Sequence, residues 1–224
     1  MARGFPMLSA ITDGLVFSFD CRNFLAINGG LSVLDSSGNN LNLSRINSPI
    51  FSDNPPKFTN TGAFQGFSHP AGNLPVGNDE YTIESWVRLG QTFSGTRFIW
   101  LSGGSNSGIV YGIGTRGFSW VNYIGPGLGN FVSNSPGYNT NWNHITGTRN
   151  AVGELQIYVN GIAGNSITRT DSLIASSPTI FGNISSGTFD QFIGDIALIN
   201  VYRRALSAAE VLHNFTVGKK LFKL

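Results

Sequence analysis

Residues 81–89 read YTIESWVRL, and the alternation in that run limits what the chain can fold into. Successive side chains of an extended backbone point to opposite faces. Ile83, Ser85, Val87 and Leu89 therefore share one face, and Thr82, Glu84, Trp86 and Arg88 share the other. GLVFSFD does the same with Leu15, Phe17 and Phe19, and ELQIYVNG with Leu155, Ile157 and Val159. Further strand-like runs occur at 31–35, 56–60, 62–67, 97–102, 108–113, 117–124, 142–149, 166–170, 178–184 and 190–202. About a dozen short strands with Gly, Asn and Ser between them predict an all-β fold, a two-sheet antiparallel jelly-roll sandwich. Asn160-Gly161 marks a hairpin, because both central residues of a type I′ turn need positive φ.

One stretch breaks the pattern. In RRALSAAEVLHNF, Ser207 with Glu210 three residues on is a capping box, and Leu206 with Val211 is a hydrophobic staple. Val211, Leu212 and Phe215 give an apolar stripe at helical spacing, and Gly218 stands where a helix stop belongs. The prediction is one C-terminal helix of about two to three turns. An open end of the sandwich is the place for it to cover. The chain divides into an arm at 1–10, the sandwich domain at 11–217 and a tail at 218–224, with no internal linker or fixed-period repeat.

Charged residues make up only 12% of the chain, about half the usual quarter. The surface is built instead from Asn, Ser, Thr and Gly. A net charge of +2 with no basic stripe argues against a nucleic-acid partner. Cys21 is the lone cysteine, so no intrachain disulfide forms. MARGFPMLSA lacks the apolar core of a signal peptide, and no run is long enough to span a membrane. The expectation is a protein made in the cytoplasm and not exported by the usual route.

Five segments in order carry a family resemblance: GLVFSFD, DSSGNN at 35–40, YTIESWVRL, WNHITGTRNAVGELQIYVNG at 142–161, and IGDIALINVYRRALSAAEV. Together they resemble the concanavalin A-like lectin/glucanase superfamily, in its laminin G-like branch. The resemblance implies a jelly roll of two antiparallel sheets, often with a short helix after the last strand. The opening segments are similar to virion structural proteins of tailed phages, which reach the outside by lysis. One position departs: many relatives carry Asp where Ala197 stands, with Asp195 two residues earlier on the same face.

Glycosidases of this fold need paired carboxylates. Glu80 and Glu84, four residues apart on a strand, would lie roughly 13 Å from each other. That exceeds the roughly 5–9.5 Å such chemistry requires. Asp190 and Asp195 fall on opposite faces of a regular strand. His69, His144 and His213 show no metal spacing with each other or with Cys21. GIGTRG at 112–117 lacks the helix of a phosphate loop and reads as a hairpin. DSSGNN has Asp35, Ser37 and Asn39 at alternate positions but lacks the Gly and Glu of an EF-hand. An Asx turn is the favoured reading there, calcium the second.

The stretch from Trp120 to Trp142 mixes Trp120, Tyr123, Phe131 and Tyr138 with Asn and Ser, which suits sugar stacking, although such aromatics more often pack in a sandwich. At the ends, Phe5, Met7 and Leu8, and Lys219, Lys220 and Phe222, are candidates for docking on a partner.

The expected function is a non-enzymatic virion structural protein of a tailed phage, a surface-exposed capsid decoration or tail-associated protein in many copies. The alternative is a glycan-binding lectin module for host or surface attachment. The weaker alternative is a glycoside hydrolase. Other virion proteins and cell-surface glycans are the expected partners. No nucleic acid, membrane, metal or cofactor is expected, and the virion is the expected location.

Overall fold

The computed structural model describes residues 10–21, 32–47, 50–53, 56–61, 65–69, 74–75, 78–90, 97–104, 107–114, 117–124, 130–133, 140–168, 179–181 and 192–221. Between 97 and 133 and in 179–181 it gives the backbone course and, of the side chains, that of Ile99. The described strands, numbered in chain order, form two antiparallel sheets.

The first sheet runs β14 (Ile162–Thr168), β13 (Glu154–Val159), β12 (Trp142–Arg149), β7 (Tyr81–Leu89), β16 (Gly194–Tyr202), β5 (Pro56–Asn60) and β4 (Ile50–Asp53). Strand β1 (Leu15–Asp20) joins the same edge of β16 as β5, pairing its later half. The second sheet runs β11 (Asn130–Ser133), β10 (Gly117–Ile124), β9 (Ser107–Gly114), β8 (Arg97–Gly104), β15 (Thr179–Phe181), β6 (Gly66–His69), β3 (Leu43–Ile46) and β2 (Ser32–Val33). The two-sheet sandwich is thus as the alternation predicts. GIGTRG is a hairpin, with Gly114 paired to Gly117. Asn160 and Gly161 have φ of 53° and 77°, and their turn joins β13 to β14.

The main core lies between the sheets. Ile83, Val87 and Leu89 of β7 meet Phe17, Phe58, Ile145, Ile157 and Ile199 of the same sheet and Val33, Leu43, Phe67 and Ile99 of the other. Phe67 reaches across to stand edge-on to Phe58 at 5.0 Å and beside Phe19 at 5.2 Å. Cys21 is buried here, and its thiol donates to the Ile196 carbonyl at 3.2 Å.

The outer face of β7 is buried as well, and the helix buries it. Helix α1 spans Ala208–Leu221. Its start is as read: Ser207 N donates to Glu210 Oε2 at 2.8 Å, and Glu210 N donates to Ser207 Oγ at 3.3 Å. Leu206 and Val211 pack in one cluster with Tyr158 and Tyr202. The hydrogen bond from Arg204, against the rise from burial and with help from Ser207, holds the Glu210 carboxyl down to about 2.

Four expectations about this helix are overturned. It has 14 residues, nearly four turns. Gly218 lies inside it, because its missing Cβ lets the helix close on Trp86: an added Cβ would sit 2.2 Å from the indole Nε1. The helix also covers a sheet face, not an open end of the sandwich. That face carries Glu84 and Trp86, which cannot be left beneath nothing. The supposed stripe divides too. Val211 is fully buried, whereas Leu212 is 50% exposed and rests over the Gly161 turn. The buried line of the helix is Val211, Asn214, Val217 and Gly218.

Candidate functional site

Strand register sorts the outer face of the first sheet into rows. One row is Tyr202, Thr82 and Thr148; the next is Asn200, Glu84 and Thr146; the next is Leu198, Trp86 and His144; the last is Thr59, Asp195, Arg88 and Trp142. A bulge at Ala197 keeps the rows aligned across β16.

The helix closes over the first three rows. Thr82 Oγ1 accepts from Leu206 N at 2.9 Å where the chain enters the helix. Glu84 is 1% exposed and accepts from Asn200 at 2.8 Å, from Asn214 of the helix at 3.0 Å and from the Tyr202 hydroxyl at 3.0 Å. His144 Nε2 lies 3.2 Å from the same carboxylate. Asn214 also accepts from Ile11 N at 2.9 Å, so it holds the entry to β1 as well. Phe215 stacks on Trp86 at 5.7 Å with the rings 15° apart. The Glu84 carboxylate gathers the polar side chains of the strands and the helix around it, and Glu84, Trp86, His144, Asn200 and Asn214 are all buried. This layer is a structural seam.

The fourth row is different. It stays open, and its Thr59, Asp195 and Arg88, with Lys57 of β5, Asn60, Thr61, Thr140 and Gly194, line a groove of about 500 Å³. That volume falls within the roughly 300–1,000 Å³ of small-molecule sites. Asp195 is the floor. Its Oδ1 accepts from Thr59 Oγ1 at 2.6 Å. Its Oδ2 accepts from Lys57 Nζ at 3.1 Å and from Arg88 Nε at 2.7 Å, and Arg88 Nη2 closes a second bond to the same oxygen. The Arg88 guanidinium lies over the Trp142 ring, 5.6 Å from its centroid. Charge partner and aromatic face together fix its plane. The Asp195 side chain is 7% exposed, whereas that of Arg88 is 40% exposed. The carboxylate holds both cations; Arg88 faces outward, and Lys57, 16% exposed, borders the groove beside it.

Among the described residues, none of those expected for glycan or partner contact lines this groove. Trp120 and Tyr123 lie on β10 and Phe131 on β11, at the edge of the other sheet. Phe131 pairs with Val121, so the register puts positions 123 and 131 on one face and position 120 on the opposite one. Tyr138, Phe5, Met7, Leu8 and Phe222 lie outside the described residues. Lys219 and Lys220 are exposed in the last turn of α1, where positive charge complements the helix dipole. Asp190 and position 191 are also outside the described residues.

Glu80 is not on a strand. It precedes β7, and its Oε1 accepts from Ala151 N at 3.0 Å. Asp35 makes the Asx turn: Oδ1 accepts from Ser37 N and Ser18 N, both at 2.9 Å, and Oδ2 accepts from Leu41 N at 3.1 Å and Ser37 Oγ at 2.7 Å. Among the described residues no three His, Cys, Asp or Glu side chains converge as metal ligands do.

A family model for the concanavalin A-like lectin/glucanases superfamily matches residues 61–212, well over half of the chain. No curated protein sequence matches significantly. Among solved structures, the binding domain of Paraclostridial Mosquitocidal Protein 1 is similar with a TM-score of 0.74 and 21% identity, over 91% of this chain and 52% of that one. The botulinum neurotoxin type C structure, whose cell entry depends upon two ganglioside molecules, gives 0.73 and 18%, over 92% and 51%. Domain 4 of AbnA, an extracellular arabinanase from Geobacillus stearothermophilus, solved in complex with arabinotriose, gives 0.65 and 19%, over 88% and 96%. The chain spans about half the length of the toxin chains it matches.

Proposed function

Because the chain belongs to the concanavalin A-like lectin/glucanases superfamily, we propose that it is a non-enzymatic carbohydrate-binding module whose site is the open groove at Asp195. One observation carries this reading: the groove presents fixed, outward-facing hydrogen-bond donors on a lectin-like sandwich. The arabinotriose complex and the ganglioside dependence of two structural relatives support carbohydrate as the ligand. Hydrolysis needs two carboxyl groups flanking one bond. Among the described residues Asp195 is the only carboxylate lining the groove, and two cations occupy it.

Purified chain passed over a broad panel of oligosaccharides should be retained saturably on at least one class, with free sugar competing and no new reducing ends in the same incubations. Retention on none overturns the reading. Turnover abolished by an Asp→Asn or Glu→Gln change overturns the non-enzymatic part. Binding lost in Trp120→Ala and kept in Lys57→Gln moves the site to the edge of the second sheet.

A second reading has its own support. The opening segments resemble virion structural proteins of tailed phages, and β14 is an end strand of its sheet, with Ile162 70% exposed. Such an edge can pair with another chain. In this reading the module is a many-copy part of a particle, held through residues 1–9 or the basic end of α1. The full chain should then co-purify with intact particles at a fixed copy number, and deleting residues 1–9 should reduce incorporation while leaving the melting temperature unchanged. Absence from washed particles sinks it.

A further inference from the structure

Resting on the carbohydrate reading of the same groove, we infer that the ligand is an acidic saccharide, one whose ring carries a carboxylate. The inference comes from counting donors and acceptors. Neutral sugars present hydroxyls that both donate and accept, and a site for them needs a free acceptor. The only carboxylate lining the groove among the described residues is buried and already takes four bonds. Asp195 takes one bond on Oδ1 from Thr59 and three on Oδ2 from Lys57 and Arg88.

The donors are in the opposite condition. Among the described residues Lys57 Nζ has one partner, Asp195, for its three N–H groups. Among the same residues Arg88 spends Nε and Nη2 on Asp195 and has no bond from Nη1. The Thr140 hydroxyl borders the same space and is exposed. Among the described residues, two cations against one anion leave the lining with one net positive charge.

Placement strengthens the count. Lys57 is on β5 and Arg88 on β7, one to either side of Asp195 on β16. The buried carboxylate sets both heads in advance, so little side-chain freedom is lost when an anion arrives. A guanidinium held in plane matches a carboxylate edge. Thr140 remains for a ring hydroxyl beside it. A surplus of fixed donors, one excess positive charge and, among the described lining residues, no free carboxylate select a ligand that brings its own negative charge.

The test uses the full chain and matched pairs: an oligosaccharide bearing a ring carboxylate, the same oligosaccharide with that carboxyl reduced to the alcohol, and a sulfated analogue of the reduced form. Calorimetry should show the carboxylated member binding at least tenfold tighter than the reduced one. The margin should shrink as salt rises from about 50 to 300 mM, as screening requires. Lys57→Gln keeps the Arg88–Asp195 pair, and in it the tenfold preference should fall to threefold or less with an unchanged melting temperature. Thr140→Val should weaken both members of the pair equally.

If the reduced member binds as well as the acid, the acidic class falls while the carbohydrate reading stands. If neither binds and other glycans do, the acidic inference alone falls; if no glycan binds, both fall. Tighter binding of the sulfated analogue than of the carboxylate overturns the carboxylate assignment. Free acetate displacing the saccharide at equal concentration shows a site for small anions and overturns the saccharide.

Discussion

Glu84→Ala should lower the unfolding free energy by about 3–5 kcal/mol, the usual cost of breaking a buried charge pair from one side. Its carboxylate joins both elements of the seam: His144 and Asn200 from neighbouring strands, and Asn214 from the helix. Alanine leaves all of these donors in a layer that excludes water. Glu84→Gln should cost less, because the amide keeps the volume and one acceptor. A denaturant midpoint followed by Trp fluorescence gives the measurement, since Trp86 is one row away.

Acid should have a related effect. Burial pushes the Glu84 carboxyl up, but hydrogen bonding from His144, its charge, and the amides of Asn200 and Asn214 outweigh that and bring it below its ordinary 4.5. A carboxyl with a depressed folded-state pKa contributes its full stability above the unfolded value. That contribution is lost as pH falls through the lower folded value. The gap between wild type and Glu84→Gln should therefore be constant above about pH 5 and narrow in stronger acid. A gap that widens in acid, or a Glu84→Ala loss under 1 kcal/mol, would show that the carboxylate does not hold the seam.

Gly218→Leu should cost about 3 kcal/mol and release the end of the helix. An added Cβ meets Nε1, Cε2 and Cζ2 of Trp86 at 2.2, 2.7 and 2.9 Å. The indole has no room to yield, since Phe215 stacks on it and His144 stands 5.2 Å away. Gly218→Ala separates two forces of opposite sign. Helix propensity alone favours Ala over Gly by about 1 kcal/mol. Contact with Trp86 demands the reverse, and it should win, with a lower melting temperature and a weaker near-ultraviolet Trp signal. An Ala variant as stable as wild type would return Gly218 to the role of an ordinary helix residue.

The contrast with the sequence reading is instructive at particular positions. β7 is legible because its two faces differ at every step, and 56–60, 117–124 and 142–149 match β5, β10 and β12 residue for residue. Strands β3, with LSRI, and β4, with IFSD, are four residues each and too short to establish a period. Gly218 gives the same letter whether it ends a helix or admits an indole; only the partner on β7 distinguishes the two. The polar side of β7 carries a further clue. Glu84 and Trp86 on the face away from the core require a cover, and the lone helix is the one element free to supply it.

The groove was less legible. Lys57 and Arg88 are separated from Asp195 by 138 and 107 residues, and strand order alone makes them neighbours. One signal was available. Arg88 stands at the end of the polar side of YTIESWVRL, just past the reach of a helix whose last buried residue is Gly218.

Strand β16 is the last of the described strands to be synthesised, yet it lies at the middle of its sheet, between β7 on one edge and β1 and β5 on the other. A ribosome adding about 5–20 residues per second takes roughly 5–20 s to travel from the end of β7 to the start of β16. Throughout that interval β7 has an open edge, and β1 and β5 have no partner on the side β16 will take. The first sheet therefore closes late: the early strands wait, and their pairing is completed by insertion rather than by growth. Such long-range closure is slow and leaves exposed edges while it is pending. Any truncation before residue 194 leaves a sheet with its centre missing rather than its rim.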